Sequence, residues 1–149
     1  MARNVGTAGT EGRVALTAAT VRTAVQIVAP ANQMIAPLAV RVSFDGITAT
    51  NVPVIVELLR QTTAGTMTAR TPRKTRVGGP TLQFTAQHSA TAEPTAGDVL
   101  REWEIHPQSG VELSLDLGAD IEVDGGGRLG LRCTAAEAVN VRAAIDVEE

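Results

Sequence analysis

Hydrophobic and polar residues alternate along most of the chain, which is the pattern of β-strands with one buried face. The most regular stretch covers residues 111–117, and residues 38–44 alternate in the same way. Residues 54–60 are apolar on both faces, which predicts a central, fully buried strand. A short helix with Pro53 in its first turn is the competing interpretation of that run.

Turn-forming residues such as Asp45-Gly46 and Pro107 separate these stretches. The predicted strands cover residues 13–17, 20–28, 38–44, 54–60, 82–86, 99–106, 111–117, 121–123, 129–133 and 139–147. No helix of about ten residues or more is predicted. About eight to ten strands at regular spacing predict an all-β fold, an antiparallel β-sandwich or jelly roll.

Three segments lack this alternation. Residues 1–12 are rich in Gly and Thr, which predicts an extended N-terminal arm that is disordered when free and orders on a partner. Residues 61–80 are polar, Thr-rich and basic, which predicts a long functional or mobile loop. A second loop is expected at residues 87–97. The remainder, residues 13–149, is predicted to form a single β-sandwich domain.

The apolar residues are mostly small. Hydrophobic residues make up 44% of the 149 positions, but aromatic residues only 2%, so Ala and Val dominate the expected core. Burial of small side chains stabilises a fold less than burial of large ones. We therefore expect the chain to gain stability by association, as a homo-oligomer or an assembly component.

The charge is uneven along the chain. Residues 1–97 carry nine basic and four acidic side chains, whereas residues 98–149 carry four basic and twelve acidic ones. A protein with a basic and an acidic part can pair with copies of itself or with a neighbour of mixed charge. The alternative is that the fold interleaves the two halves and mixes their charges.

Several kinds of chemistry find little support in the composition. Two His and one Cys are too few for a multi-ligand zinc site or a disulfide framework. Cys133 lies in an apolar run and is predicted to be a buried small hydrophobe. No apolar run approaches the ~20 residues of a membrane helix, and the N-terminus lacks the apolar core of a signal peptide. We expect no cofactor and no membrane partner.

A cation site is conceivable at Asp120, Glu122 and Asp124. An EF-hand loop needs a carboxylate at its twelfth position, where this chain has Leu131. The alternation of residues 121–123 and the glycines at 125–127 favour a strand followed by a turn. A cation shared between subunits at these carboxylates stays open.

Catalytic constellations are equally weak. His88, His106 and Ser109 could enter a triad only by assembly in space, because no nucleophile motif surrounds them. The carboxylates most suited to glycoside chemistry are Glu102, Glu104 and Glu112. Sugar binding also needs exposed aromatic rings, and Trp103 is expected on the opposite, core-facing side of its strand. The chain is therefore expected not to be an enzyme.

The basic residues of the 61–80 loop form the only basic cluster. They are Arg70, Arg73, Lys74 and Arg76. Without interleaved aromatic residues, and in an acidic protein, they favour docking on an acidic protein surface over nucleic-acid binding. A plain solvated loop is the other alternative. Arg3 in the arm joins the cluster as a candidate partner-binding residue.

The general plan resembles small virion proteins of tailed bacteriophages, in particular capsid decoration (cement) proteins. The features in common are the arm, the all-β body and the basic loop. The segments Trp103-Glu104-Ile105-His106-Pro107 and Gly126-Gly127-Arg128-Leu129-Gly130 look like the C-terminal half of phage structural proteins. The resemblance implies a non-enzymatic protein on the capsid exterior, bound to the major capsid protein, often as a trimer. A carbohydrate- or receptor-binding module of a tail or fibre is the alternative.

Overall fold

The structure, a computed structural model, describes residues 4–46, 51–114 and 121–149. These residues form twelve strands and no helix. The strands are β1 (Val5–Gly9), β2 (Val14–Leu16), β3 (Val21–Val28), β4 (Ala36–Phe44), β5 (Val54–Gln61), β6 (Thr66–Arg70), β7 (Arg73–Lys74), β8 (Thr85–Ala92), β9 (Ala96–Ile105), β10 (Gly110–Ser114), β11 (Arg128–Thr134) and β12 (Val139–Glu148).

The strands form two antiparallel sheets. The first sheet has the order β10-β4-β12-β1-β7, and β2 also pairs with β12. The second sheet has the order β6-β8-β3-β11-β5-β9. Two sheets that share one apolar core make a β-sandwich, which confirms the fold predicted from the alternating pattern.

The winding of the chain is that of a jelly roll. Strands β2, β4, β10 and β12 lie in the first sheet, while β3, β5, β9 and β11 lie in the second. Strands β6 to β8 are an insertion between β5 and β9. Within it, β6 and β8 extend the second sheet beyond β3, and β7 extends the first sheet beyond β1. Because of this insertion and of β1, the strands outnumber the expected eight to ten.

The core lies between the sheets and is built from alternate residues. In β12 every second side chain is buried, namely Val139, Val141, Ala143, Ile145 and Val147. Leu58, Leu129 and Leu131 face them from the second sheet and are fully buried. Trp103 is half-buried and packs against this core, as its position on β9 predicts. Residues 54–60 lie in strand β5, so the helical interpretation is wrong.

The N-terminal segment differs from the expected free arm. Residues Val5–Gly9 are extended, but they form β1 inside the first sheet, between β12 and β7. Ala8 and Thr10 are buried there. This segment of Gly and Thr residues has no alternating apolar pattern, because main-chain pairing with β12 and β7 fixes the strand rather than a large buried face. Gly9 suits the position, since a Cβ would come within 2.8 Å of the Ala143 carbonyl oxygen.

Both predicted loops contain strands. Residues 61–80 include β6 and β7, and residues 87–97 are largely covered by β8 and β9. Strands β6, β7 and β9 are edge strands, and β8 lies beside the edge strand β6. At a sheet edge, a strand does not need a regular alternation of apolar residues. Three predictions fall outside the described residues: Arg3 with the rest of residues 1–3, Asp120, and the end of the strand predicted at 111–117.

A buried polar network lies on the outer side of the second sheet, where sequence reasoning expected none. Gln26 donates to the Gln61 amide oxygen at 2.7 Å, and Gln61 donates to the Thr23 hydroxyl at 3.0 Å. Thr23 in turn donates to Glu93 at 2.6 Å. Gly130 borders the network, and a Cβ there would collide with the Gln61 amide. The partners satisfy one another, as buried polar groups require.

We predict that Ala8→Asp destabilises the protein by about 3 kcal/mol or more, because it buries an unpaired carboxylate in the core. Thr7→Ala on the outward face of the same strand is the control and should cost about 1 kcal/mol or less. Urea unfolding measures both free energies. Equal, small effects of the two substitutions would show that β1 is not part of the folded sheet.

Candidate protein-docking surface

The predicted basic cluster is gathered on one side of the sandwich. Arg70 ends β6, the edge strand of the second sheet, and Arg73 and Lys74 form β7, the edge strand of the first sheet. The two-residue connection Thr71-Pro72 joins these edges, so the cluster spans both sheets. Arg76 follows β7 and is exposed. We call these four residues the basic side.

One carboxylate, which sequence reasoning missed, organises the basic side. Glu11 forms ion pairs with Arg70 and with Arg73, whose Nε lies 3.1 Å from a Glu11 carboxylate oxygen. Its φ of 52° lies in the left-handed region, which is uncommon for a residue with a side chain. The strain fits a residue whose position is fixed by two guanidinium groups. No local motif predicts ion pairs between residues about sixty positions apart.

The other two cations of the basic side meet no carboxylate among the described residues. Lys74 Nζ donates a hydrogen bond to the Gly79 carbonyl oxygen at 2.8 Å. Glu11 is therefore the only acidic partner that these four side chains have in the described part of the chain. The basic side keeps an excess of positive charge that an acidic surface could neutralise.

The pKa of His88 is sensitive to the positive charge of the basic side. It lies on β8 opposite Thr68 of β6, and its Nδ1 is 2.9 Å from the Ser89 hydroxyl oxygen. Partial burial lowers the pKa of His88 below its ordinary value of 6.5, and the nearby positive charge of Arg70 lowers it further. Both causes disfavour the protonated imidazolium.

A groove of about 460 Å³ crosses the outer face of the first sheet from β10 to the basic side. Its floor consists of small or outward-facing residues of four strands, which are Gly9, Ser43, Gly110, Arg142 and Ala144. Arg41 in this groove is already paired with Asp146 at 2.6 Å and lies 4.0 Å from Glu112. Arg70 and Arg73, which also line the groove, are paired with Glu11, so three of its four arginines have an acidic partner.

The catalytic candidates are not brought together. His106 is exposed, and its Nδ1 accepts a hydrogen bond from the Gln108 amide at 3.2 Å. The Ser109 hydroxyl points to the Gly110 carbonyl rather than to the imidazole. His88 lies on β8, beside β3 and β6, whereas His106 follows β9 at the other end of the second sheet.

The carboxylates of the glycoside hypothesis lie on two different sheets. Glu102 and Glu104 are exposed on β9, and Glu112 is exposed on β10. A small pocket of about 260 Å³ is lined by Ile55, Glu102, Trp103 and Glu104. Trp103 is half-buried and packs against the core, unlike the exposed aromatic rings on which sugars stack.

The carboxylates considered for a cation site lie on the surface where they are described. Glu122 and Asp124 are exposed, and the Asp124 carbonyl oxygen accepts a turn hydrogen bond from Gly127 at 2.8 Å. No group of three or more His, Cys, Asp or Glu suited to a metal ion occurs among the described residues. Within the same residues, no helix is long and apolar enough to cross a membrane.

Cys133 is fully buried in β11, as predicted from its apolar run. Burial raises the pKa of the thiol to about 12, and the negative charge of Glu57 acts in the same direction. A thiol with so high a pKa is a poor nucleophile at neutral pH.

Comparison with protein-family models, curated proteins and solved structures finds no match to this chain. The fold and the distribution of charges are therefore the basis for an assignment of function.

We predict that Cys133 of the folded protein resists alkylation by iodoacetamide near pH 8, where the buried thiol stays protonated. In 8 M urea the thiol should react at least about a hundredfold faster, because its pKa returns to the ordinary range. Mass spectrometry of timed samples measures the reaction. Rapid labelling without denaturant would contradict the buried position.

We also predict that His88 titrates below pH 6.5 in an NMR experiment and that Arg70→Gln raises its pKa. Exposed His106 serves as the internal control. Because the folded state binds the His88 proton more weakly than the unfolded chain, this group stabilises the fold less as pH falls through 6.5. A His88 pKa that does not respond to Arg70→Gln would separate the residue from the basic side.

Proposed function

We propose that this protein is a non-enzymatic structural component of a phage particle, of the capsid-decoration type, and binds the capsid lattice. The observation that carries the proposal is the basic side. Arg70, Arg73 and Lys74 on the edge strands of both sheets and Arg76 just after β7 have a single carboxylate partner in the described residues, and all but Arg70 are exposed. Such a surface is suited to docking on an acidic protein in an assembly.

The fold is compatible with this function but does not decide it. Jelly rolls occur in viral capsid proteins and also in lectins, so function must be argued from the surface. The alternative of a carbohydrate- or receptor-binding module would be favoured by an exposed aromatic platform. Trp103 instead packs against the core, and Phe44 and Phe84 are buried.

Nucleic acid is a less suitable partner for the basic side. Binding to single strands usually combines basic side chains with aromatic rings on which bases stack. No aromatic residue occurs in residues 61–80, and the protein carries a net charge of −3. An acidic protein surface in the assembled particle therefore fits better.

We predict that the protein is present in purified particles of the phage that encodes it, at a fixed ratio to the major capsid protein. Gradient-purified particles analysed by quantitative mass spectrometry measure the ratio. A constant ratio across independent preparations is expected for a lattice component. Absence from the particles would refute the proposal.

We further predict that Lys74→Glu with Arg76→Glu lowers binding to particles that lack the protein by at least about tenfold, because an acidic surface would then repel the basic side. The matched control is Arg128→Glu with Arg142→Glu, which changes the charge equally on β11 and β12. Co-sedimentation measures binding, and thermal unfolding checks that both variants are folded. Equal binding by the two variants would exclude a role for the basic side.

A further inference from the structure

The sandwich has two open sides, and each is formed by one edge strand from each sheet. One open side is formed by β6 and β7, which carry Arg70, Arg73 and Lys74 of the basic side. Strands β9 and β10 form the opposite side, because β9 is the other edge of the second sheet and β10 is the other edge of the first. In the first sheet, four interstrand spacings of ~4.8 Å separate the two edges by ~19 Å.

The side formed by β9 and β10 is acidic. Its exposed carboxylates are Asp98, Glu102 and Glu104 on β9 and Glu112 on β10. Arg101 is the only basic residue on these two strands. We call these four carboxylates the acidic side. The uneven charge along the sequence therefore becomes two oppositely charged sides of one folded domain.

Two carboxylates of the acidic side, Glu102 and Glu104, lack an ion-pair partner among the described residues. Glu102 lies directly opposite Glu57 in the β5–β9 pair, and like charges in such a position repel each other. Glu57 is neutralised by Arg132, whose Nε lies 2.5 Å from the Glu57 carboxylate. Neither Glu102 nor Glu104 forms an ion pair with a described residue. Arg132 therefore offsets the charge of Glu57, whereas Glu102 and Glu104 are left for a cation from another chain.

Both sides also end in edge strands whose outer backbone groups lack a partner strand among the described residues. Open edges of this kind readily pair with another chain. Contact between two basic sides or between two acidic sides would be repulsive, whereas contact between a basic and an acidic side is attractive. The interface that fits these charges is therefore heterologous, with different surfaces of the two copies in contact.

We propose that copies of this chain associate head to tail, with the basic side of one copy on the acidic side of the next. The inference deepens the proposed function, on which it rests for the role of the basic side as a docking surface. It names a second copy as the acidic partner. On a particle, the acidic surface that meets the basic side would then belong to the neighbouring copy, so that reversal of the basic side weakens particle binding by removing contacts between copies.

Charge reversal on each side tests this arrangement. The basic-side variant is Lys74→Glu with Arg76→Glu, the acidic-side variant is Glu102→Lys with Glu104→Lys, and Arg128→Glu with Arg142→Glu is the control. Size-exclusion chromatography with light scattering, at micromolar concentration and about 0.1 M salt, measures the mass. We expect the wild type and the control to exceed the monomer mass of 15.5 kDa.

Each reversal alone should give the monomer, because each removes attraction from every head-to-tail contact. A one-to-one mixture of the two variants should associate again, since their reversed sides are complementary. About 1 M salt, which reduces the Debye length to ~3 Å, should weaken wild-type association by at least about tenfold. Circular dichroism confirms that each variant is folded.

A monomeric wild type would overturn the inference, as would dissociation by only one of the two reversals or failure of the mixture to associate. The proposed function fails separately. If the wild type is a monomer but present in particles at a fixed ratio, the head-to-tail contact is wrong and the proposed function stands. If it associates in solution but is absent from particles, the contact stands and the proposed function is wrong.

Discussion

The rest of the fold depends on strand β12, through both its main-chain pairing and its buried side chains. This strand pairs with β4 on one side and with β1 and β2 on the other, so the register of three other strands depends on it. Its five buried side chains are small or β-branched and contact the second sheet. A shift by one residue would turn every one of them to the solvent.

This dependence explains which parts of the fold could be predicted. Strands β4, β5, β11 and β12 face the core with apolar residues at alternate positions, and the pattern located them within a few residues. Strands β1, β6 and β7 are held mainly by their neighbours' main chains, and their own residues are small or polar. An alternating pattern cannot reveal a strand that is held in place by hydrogen bonds to neighbouring strands rather than by its own apolar side chains.

The candidate docking surface, too, could be predicted from the sequence only in part. The basic cluster could be found because its residues are adjacent in the sequence. Its position across two edge strands, its partner Glu11 and the opposite acidic side depend on pairing between distant segments. The charge imbalance between the two parts of the sequence indicated that such a separation was possible, but only the jelly-roll winding places the two charges on opposite sides of the domain.

The insertion of β6 to β8 has a consequence for how such a protein could change over time. Arg70, Arg73 and Lys74 belong to the insertion, whereas the eight strands of the jelly roll supply most of the buried core. Substitutions of exposed residues such as Arg73 and Lys74 therefore alter the candidate docking surface with little effect on folding. Partner choice and stability are then separable traits, so selection for a new partner could act on a few exposed residues while the scaffold stays constant.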